Sequence, residues 1–166
     1  MSKEFTALNC AVLTVSDTRT ETTDKSGALL AEALQEAGHR LAEKHIVKDD
    51  VYQIRAVVSR WIADPEVQAI VLTGGTGFAG RDSTPEAVAP LFDKEVVGFG
   101  ELFRHISIEQ IGNATVQSRA LAGLANKTVI FALPGSTNAC RTAWDGILRD
   151  QLDSRHQPCN FVELLV

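Results

Sequence analysis

The stretch LTGGTGFAGRDSTPEA, Leu72–Ala87, decides how the rest of this chain folds. It follows the apolar run VQAIVL (Val67–Leu72), short and continuous enough for a buried strand. It ends in Ser83-Thr84-Pro85-Glu86, whose spacing predicts a capping box with Pro just inside a helix. Strand, glycine-rich loop and helix start therefore follow one another directly, which is the βα unit of a parallel sheet. Gly75-x-Gly77-x-x-Gly80 also matches the GxGxxG pattern of dinucleotide-binding oxidoreductases. That fingerprint belongs in the first βα turn, whereas this loop follows a later strand and runs on through Arg81 and Asp82. No Lys-Ser/Thr pair follows the glycines, so the Walker pattern fails.

Outward from this unit the same alternation continues. AVLTV (Ala11–Val15) reads as a strand, and SGALLAEALQEAG (Ser26–Gly38) as a helix capped by Ser26 and ended by Gly38. HRLAEKHIV contains a second strand. DVYQIRAVVSRWIAD follows as a helix with Val51, Ile54, Val58, Trp61 and Ile62 on one side. After the central unit, STPEAVAPLF reads as a short helix and GFGELFRHI as another, with Phe99, Leu102, Phe103 and Ile106 at helical spacing; SIEQ (Ser107–Gln110) caps a further turn. TVIFAL (Thr128–Leu133) is a strand, PGSTNA a turn, and CRTAWDGILRDQL a long helix with Ala143, Trp144, Ile147 and Leu148 inward. The segment from Asp93 to Asn126 carries the weakest pattern. The expectation is an α/β fold with a mostly parallel sheet, in a single domain over residues 1–166.

Composition narrows the function. With 45% hydrophobic and 22% charged residues the chain is globular, and a net charge of -5 disfavours nucleic acid and anionic membranes as partners. No apolar run is long enough to span a bilayer and the start lacks a signal peptide, so a reduced, cytoplasmic setting is expected, with each of the three Cys a buried thiol. The four His do not cluster and show no transition-metal spacing.

In an open parallel sheet, ligands bind beyond the carboxyl ends of the strands. Here those ends lead into Ser16 and Asp17, into Lys48, Asp49 and Asp50, into Thr73-Gly74-Gly75-Thr76-Gly77, and into Pro134-Gly135-Ser136. One sheet edge would then collect carboxylates, hydroxyls and backbone amides that glycine leaves open to a ligand. Asp50 sits where a cap is needed, which makes Asp49 the spare acid; Ser83 can cap its helix, which leaves Asp82. Two such acids suit Mg²⁺ shared with substrate phosphates. The plain alternatives are a second capping acid at Asp82, solvated loop acids at both positions, and simple helix capping at Ser136. Positive charge is available from Arg19, Lys25, Lys48, Arg81 and Arg104, or these are surface cations only.

The motifs TGGTG, RDSTPEA, GFGELFR and LPGSTNACRTAWDGI, in this order, resemble the MoaB/Mog family of molybdenum cofactor biosynthesis proteins, and the likeness runs from LTVSDTR to PCNF near the end. ANKTVIFALPGSTNACRTAW and QLDSRHQPCNF look closest to the MoaB branch. The resemblance implies a three-layer α/β/α molybdopterin-binding fold that assembles as homotrimers or homohexamers, working beside other proteins of the pathway. It implies binding of molybdopterin and a nucleotidyltransferase activity, in which molybdopterin and Mg-ATP give adenylyl-molybdopterin and pyrophosphate. The essential acids of that activity correspond to Asp49 and Asp82, and substrate contacts to Thr73–Gly77 and the surroundings of Ser136. A non-catalytic molybdopterin carrier is the alternative within the family.

Overall fold

The computed structural model describes residues 3–166. Six strands form one sheet in the order β2-β1-β3-β6-β5-β4: β1 (Asn9–Val15), β2 (Arg40–Val47), β3 (Ala69–Thr73), β4 (Lys94–Glu95), β5 (Leu121–Ala125) and β6 (Thr128–Leu133). β2, β1, β3 and β6 run parallel, while β5 and β4 add on antiparallel. β1, β3 and β6 are buried almost throughout, as parallel strands with helices on both faces must be. Alternate residues serve opposite cores. Val12, Val71 and Phe131 face a core with α1 (Lys25–Glu36), α4 (Val97–Ile111) and α5 (Thr137–Ala143). Leu13, Ile70 and Ile130 face the other, with α2 (Val51–Ala63) and α3 (Thr84–Val88). The result is three layers, α/β/α.

Helix ends follow local chemistry, with departures from the sequence pattern. α1 is capped by Asp24, whose Oδ1 accepts from the Gly27 amide at 2.9 Å, and not by Ser26. Ser26 Oγ is engaged instead as a donor to the Gly135 carbonyl, 2.9 Å away. At the other end Gly38 adopts φ 102°, and the amides of Gly38 and His39 donate to the carbonyls of Gln35 and Leu34 in a Schellman closure. Asp50 caps α2 as expected, accepting from the amides of Tyr52 and Gln53 at 3.0 and 2.9 Å. SIEQ starts no new turn: α4 runs straight through it, and Ser107 Oγ donates to the Phe103 carbonyl one turn back. Phe99 and Phe103 are buried on this helix, but Leu102 is exposed. The last long helix begins at Thr137 and continues from α5 through a π-helical turn, Trp144–Leu148, into α6 (Arg149–Gln151), with Ala143, Trp144, Ile147 and Leu148 buried.

β4 and β5 lie in the segment whose sequence pattern is weakest. LAGLA has too little side chain to read as a strand, and its Gly123 makes room for the Phe92 ring: a Cβ there would stand 2.2 Å from a ring carbon. β5 and β6 are joined by Asn126 and Lys127 at φ 48° and 61°, a tight hairpin turn of the primed type.

Candidate functional site

The strand order reverses at β1. Its crossover through α1 leads to β2 on one side, and the next lead to β3 on the other. Such a switch point leaves a crevice at the carboxyl ends of the strands. A cleft of about 750 Å³ opens there, lined from β1, β3 and β6 by Ser16, Thr73–Gly77 and Pro134–Ser136, with Asp49 and Asp82 also on its wall. The structure thus gathers nearly all the residues read from the sequence. Asp17 is the exception: it does not line the cleft, and its carboxylate takes both Arg81 Nε and Nη2, at 2.9 and 2.7 Å. The hydrogen bonds from Arg81 hold Asp17 below its usual carboxylate range.

The glycine-rich loop owes its shape to close approaches. Gly74 has φ 108°, and a Cβ on it would lie 2.2 Å from the Val15 carbonyl oxygen. Thr73 Oγ1 donates to the Pro134 carbonyl at 2.9 Å, so the first Thr of the motif ties two strand ends together and is buried. Among the described residues, the amides of Gly75, Thr76 and Gly77 find no acceptor. Consecutive unpaired amides on a cleft wall form a concavity suited to an anion.

Both acids lie against this loop. A Cβ on Gly75 would stand 3.0 Å from Asp49 Oδ2, and one on Gly77 2.7 Å from Asp82 Oδ2. Asp49, only 8% exposed, accepts through Oδ1 from the Ser83 amide and hydroxyl at 3.2 and 2.7 Å. The capping box is therefore not formed: Ser83 makes no side-chain cap to α3, and both its hydroxyl and its amide are turned to Asp49 instead. Asp82 Oδ2 accepts from the Ala79 amide at 2.9 Å, closing its own turn. Among the described residues no donor reaches Asp49 Oδ2 or Asp82 Oδ1, so each acid keeps one oxygen on the loop and one uncommitted. Ser136 Oγ caps α5, accepting from the Ala139 amide at 3.0 Å.

Of the expected cations, Arg19 and Lys25 line the cleft and Lys48 does not. Arg104 is spent on the backbone, donating to the Ser118 and Ala120 carbonyls at 3.3 and 3.0 Å. Cys140 is buried beside Thr73, and burial pushes its thiol up to about 11 despite its polar contacts with Thr73 and Ser26. Cys10 is buried too, but Cys159 is exposed, against the expectation of three buried thiols. Among the described residues no three His, Cys, Asp or Glu side chains gather as a metal cluster, and no helix is long and apolar enough to cross a membrane. Two contributors carry no local signal in the sequence. Asp24, buried in the cleft wall, is held by Thr14 Oγ1 at 2.7 Å and Lys44 Nζ at 3.2 Å, and only the fold brings these together. Arg119 grips the glycine-rich loop from the segment between α4 and β5.

A three-layer α/β/α sheet with a glycine-rich loop of unpaired amides and half-committed carboxylates at its switch point defines a class of α/β proteins with a polar ligand cleft. The family model described as "Probable molybdopterin binding domain" matches residues 11–154. The chain belongs to this molybdopterin-binding family of molybdenum cofactor biosynthesis proteins, the MoaB/Mog family. The molybdenum cofactor biosynthesis protein B of Escherichia coli strain K12 is 57% identical over 161 residues, covering 97% of this chain and 95% of its own. That of Bacillus subtilis strain 168 is 47% identical over 146 residues, covering 87% and 86%. A crystal structure of a molybdenum cofactor biosynthesis protein B superposes with a TM-score of 0.87 at 45% identity, over 90% of this chain and 94% of that one. The tungsten cofactor synthesizing protein MoaB of Pyrococcus furiosus gives 0.76 at 39% identity, over 84% and 89%.

Proposed function

We propose that this chain, as one domain over residues 1–166, binds molybdopterin and transfers AMP from Mg-ATP to its terminal phosphate. An oxygen of that phosphate forms a bond to the α-phosphorus of ATP. The bond from the α-phosphorus to the bridging oxygen breaks, and pyrophosphate leaves with the electron pair. A phosphate monoester is already ionised at neutral pH, so the protein's task is positioning and charge neutralisation rather than proton abstraction.

The observation that carries this reading is the pairing of uncommitted carboxylate oxygens, on Asp49 and Asp82, with the free amides of Gly75–Gly77 between them. Two carboxylates without a third ligand fit Mg²⁺, which takes one or two protein acids and completes its shell with water and phosphate oxygens. Bound there, Mg²⁺ would neutralise charge on the transferring phosphate. The loop amides hold phosphate oxygens. Arg19 and Lys25, which follow β1 and line the same cleft, add positive charge. Ser16 and Pro134–Ser136 complete the substrate wall.

The test is to incubate the chain with molybdopterin and Mg-ATP and follow adenylylated product and pyrophosphate. Asp82→Ala and Asp49→Ala are each expected to lower turnover by about 10²-fold or more. Unchanged turnover in either variant removes the role assigned to that acid. Molybdopterin binding without pyrophosphate release by the wild-type chain replaces the enzyme with a carrier. The family likeness also supports a cytoplasmic homotrimer or homohexamer working with other proteins of the pathway, with the exposed apolar residues of α4, such as Val97, Leu102 and Ile108, as the contact face. Sedimentation of the purified chain checks the assembly.

A further inference from the structure

Arg119 lies outside every motif that marks the cleft, yet it holds the part of the loop that carries Asp82. Its Nε and Nη2 donate to the Gly77 carbonyl at 2.9 and 2.7 Å, and Nη2 also donates to the Asp82 carbonyl at 2.9 Å. Nη1 pairs with the Glu86 carboxylate on α3. The Arg119 amide donates to the Thr76 carbonyl at 3.0 Å, and its guanidinium carbon stands 5.0 Å from the centre of the Phe78 ring. Gly77 and Asp82 flank the turn Phe78–Arg81 within the irregular segment between β3 and α3, so a single nitrogen closes that turn at its neck. The side chain that does so is only 25% exposed.

We infer that Arg119 is the positioning residue for Asp82, locking the neck of the loop so that the free oxygen of that carboxylate points into the cleft. The link is direct. Asp82 Oδ2 rests where a Cβ of Gly77 would be 2.7 Å away, so the Gly77 backbone is the surface against which the carboxylate lies. The same oxygen accepts from the Ala79 amide within the turn. If the neck opens, both supports of the carboxylate move. Lysine cannot replace this grip: a lone ammonium lacks the planar fork that serves two carbonyls and a carboxylate while lying over an aromatic ring. The use made of Asp82 rests on the adenylyl-transfer reading; the clamp itself rests on geometry.

The test compares Arg119→Lys and Glu86→Gln with wild type in the full chain, by amide hydrogen exchange and by kinetics. In Arg119→Lys, protection of the Ala79 and Asp82 amides is expected to fall about tenfold while β3 and β6 stay unchanged. The kcat is expected to fall about 10²-fold with molybdopterin Kd held within about threefold. Glu86→Gln, an exposed and milder change, is expected to show the same pattern more weakly, and decides the matter if Arg119→Lys does not fold. Unchanged loop protection, exchange that rises equally across β3 and β6, or an unchanged kcat each overturn the inference. If the wild-type chain makes no adenylylated product, the activity reading falls, and the exchange comparison alone decides whether Arg119 sets Asp82.

Discussion

Asp24 shows how much a single buried acid can bind together. Its oxygens take the Gly27 amide, the Thr14 hydroxyl and the Lys44 ammonium, and its side chain is 1% exposed. Burial alone would raise its pKa, but those hydrogen bonds and the Lys44 charge lower it below the ordinary 3.8. A carboxylate with a depressed folded-state pKa contributes stability above its unfolded value and loses it as pH falls through the folded value. Unfolding of the wild-type chain is therefore expected to ease below about pH 4 by a step that Asp24→Asn lacks, as followed by denaturant melts across pH. Asp24→Ala is expected to cost about 3 kcal/mol, because it strands the Lys44 charge and removes a cap. The cysteines give a second test at this scale. Burial pushes Cys10 and Cys140 up to about 12 and about 11, so both are thiols at neutral pH as well as inaccessible, whereas Cys159 is exposed. Alkylation of the native chain is expected to modify Cys159 alone, with the other two reacting only after unfolding. Modification of Cys140 in the native state would contradict its placement.

At the scale of elements, β5 lies in the segment with the weakest sequence pattern, yet the turn that joins it to β6 is held from two sides. Asn126 tolerates its left-handed conformation, and it is anchored by its amide to Asp93 Oδ2 and by Nδ2 to the Ile62 carbonyl, at 2.9 and 2.8 Å. Lys127, at φ 61°, gains nothing comparable. Lys127→Gly is expected to stabilise the chain by about 0.5–1 kcal/mol, raising Tm by about 1–4 °C. A drop in Tm would show that the lysine makes contacts that offset its strain. Strong β-branched runs such as Thr128–Leu133 announce a strand, but Leu121–Ala125 is a strand only because Phe92 fills the space over Gly123 and β6 offers a free edge. Likewise Ser26 and Ser83 sit at good capping positions, yet each gives its hydroxyl to a distant partner, Gly135 or Asp49. Local pattern cannot weigh a partner that is remote in sequence.

For the whole molecule, the cleft lies at the carboxyl ends of the parallel strands and is assembled from segments far apart in the chain. Strand ends from β1, β3 and β6 supply its floor, while α4 and the segment after it, through Phe103, Ser107 and Ser118, close the far side. Ligand binding there ties these segments together and raises global stability. At about 100 times its Kd, Mg-ATP is expected to stabilise the chain by about 2.7 kcal/mol. Thermal denaturation should register this as a clear rise in Tm that Asp49→Asn and Asp82→Asn diminish. An equal rise in these variants would place nucleotide binding away from the acids.

The amino-acid order by itself determined the alternation of strands and helices, the sheet edge where Asp49, the Gly74–Gly77 loop, Asp82 and Ser136 would converge, and Asp50 as a cap. Those features rest on periodicity, on glycine's conformational range and on short-range hydrogen bonds, all written within a few residues. Tertiary structure alone decided that Asp17 turns to Arg81, that Ser83 serves Asp49 in place of its own helix, and that Arg119 holds the loop bearing Asp82. Each of these joins groups brought together by the folded sheet, where a charged or hydroxyl side chain takes whichever partner the packing leaves within reach.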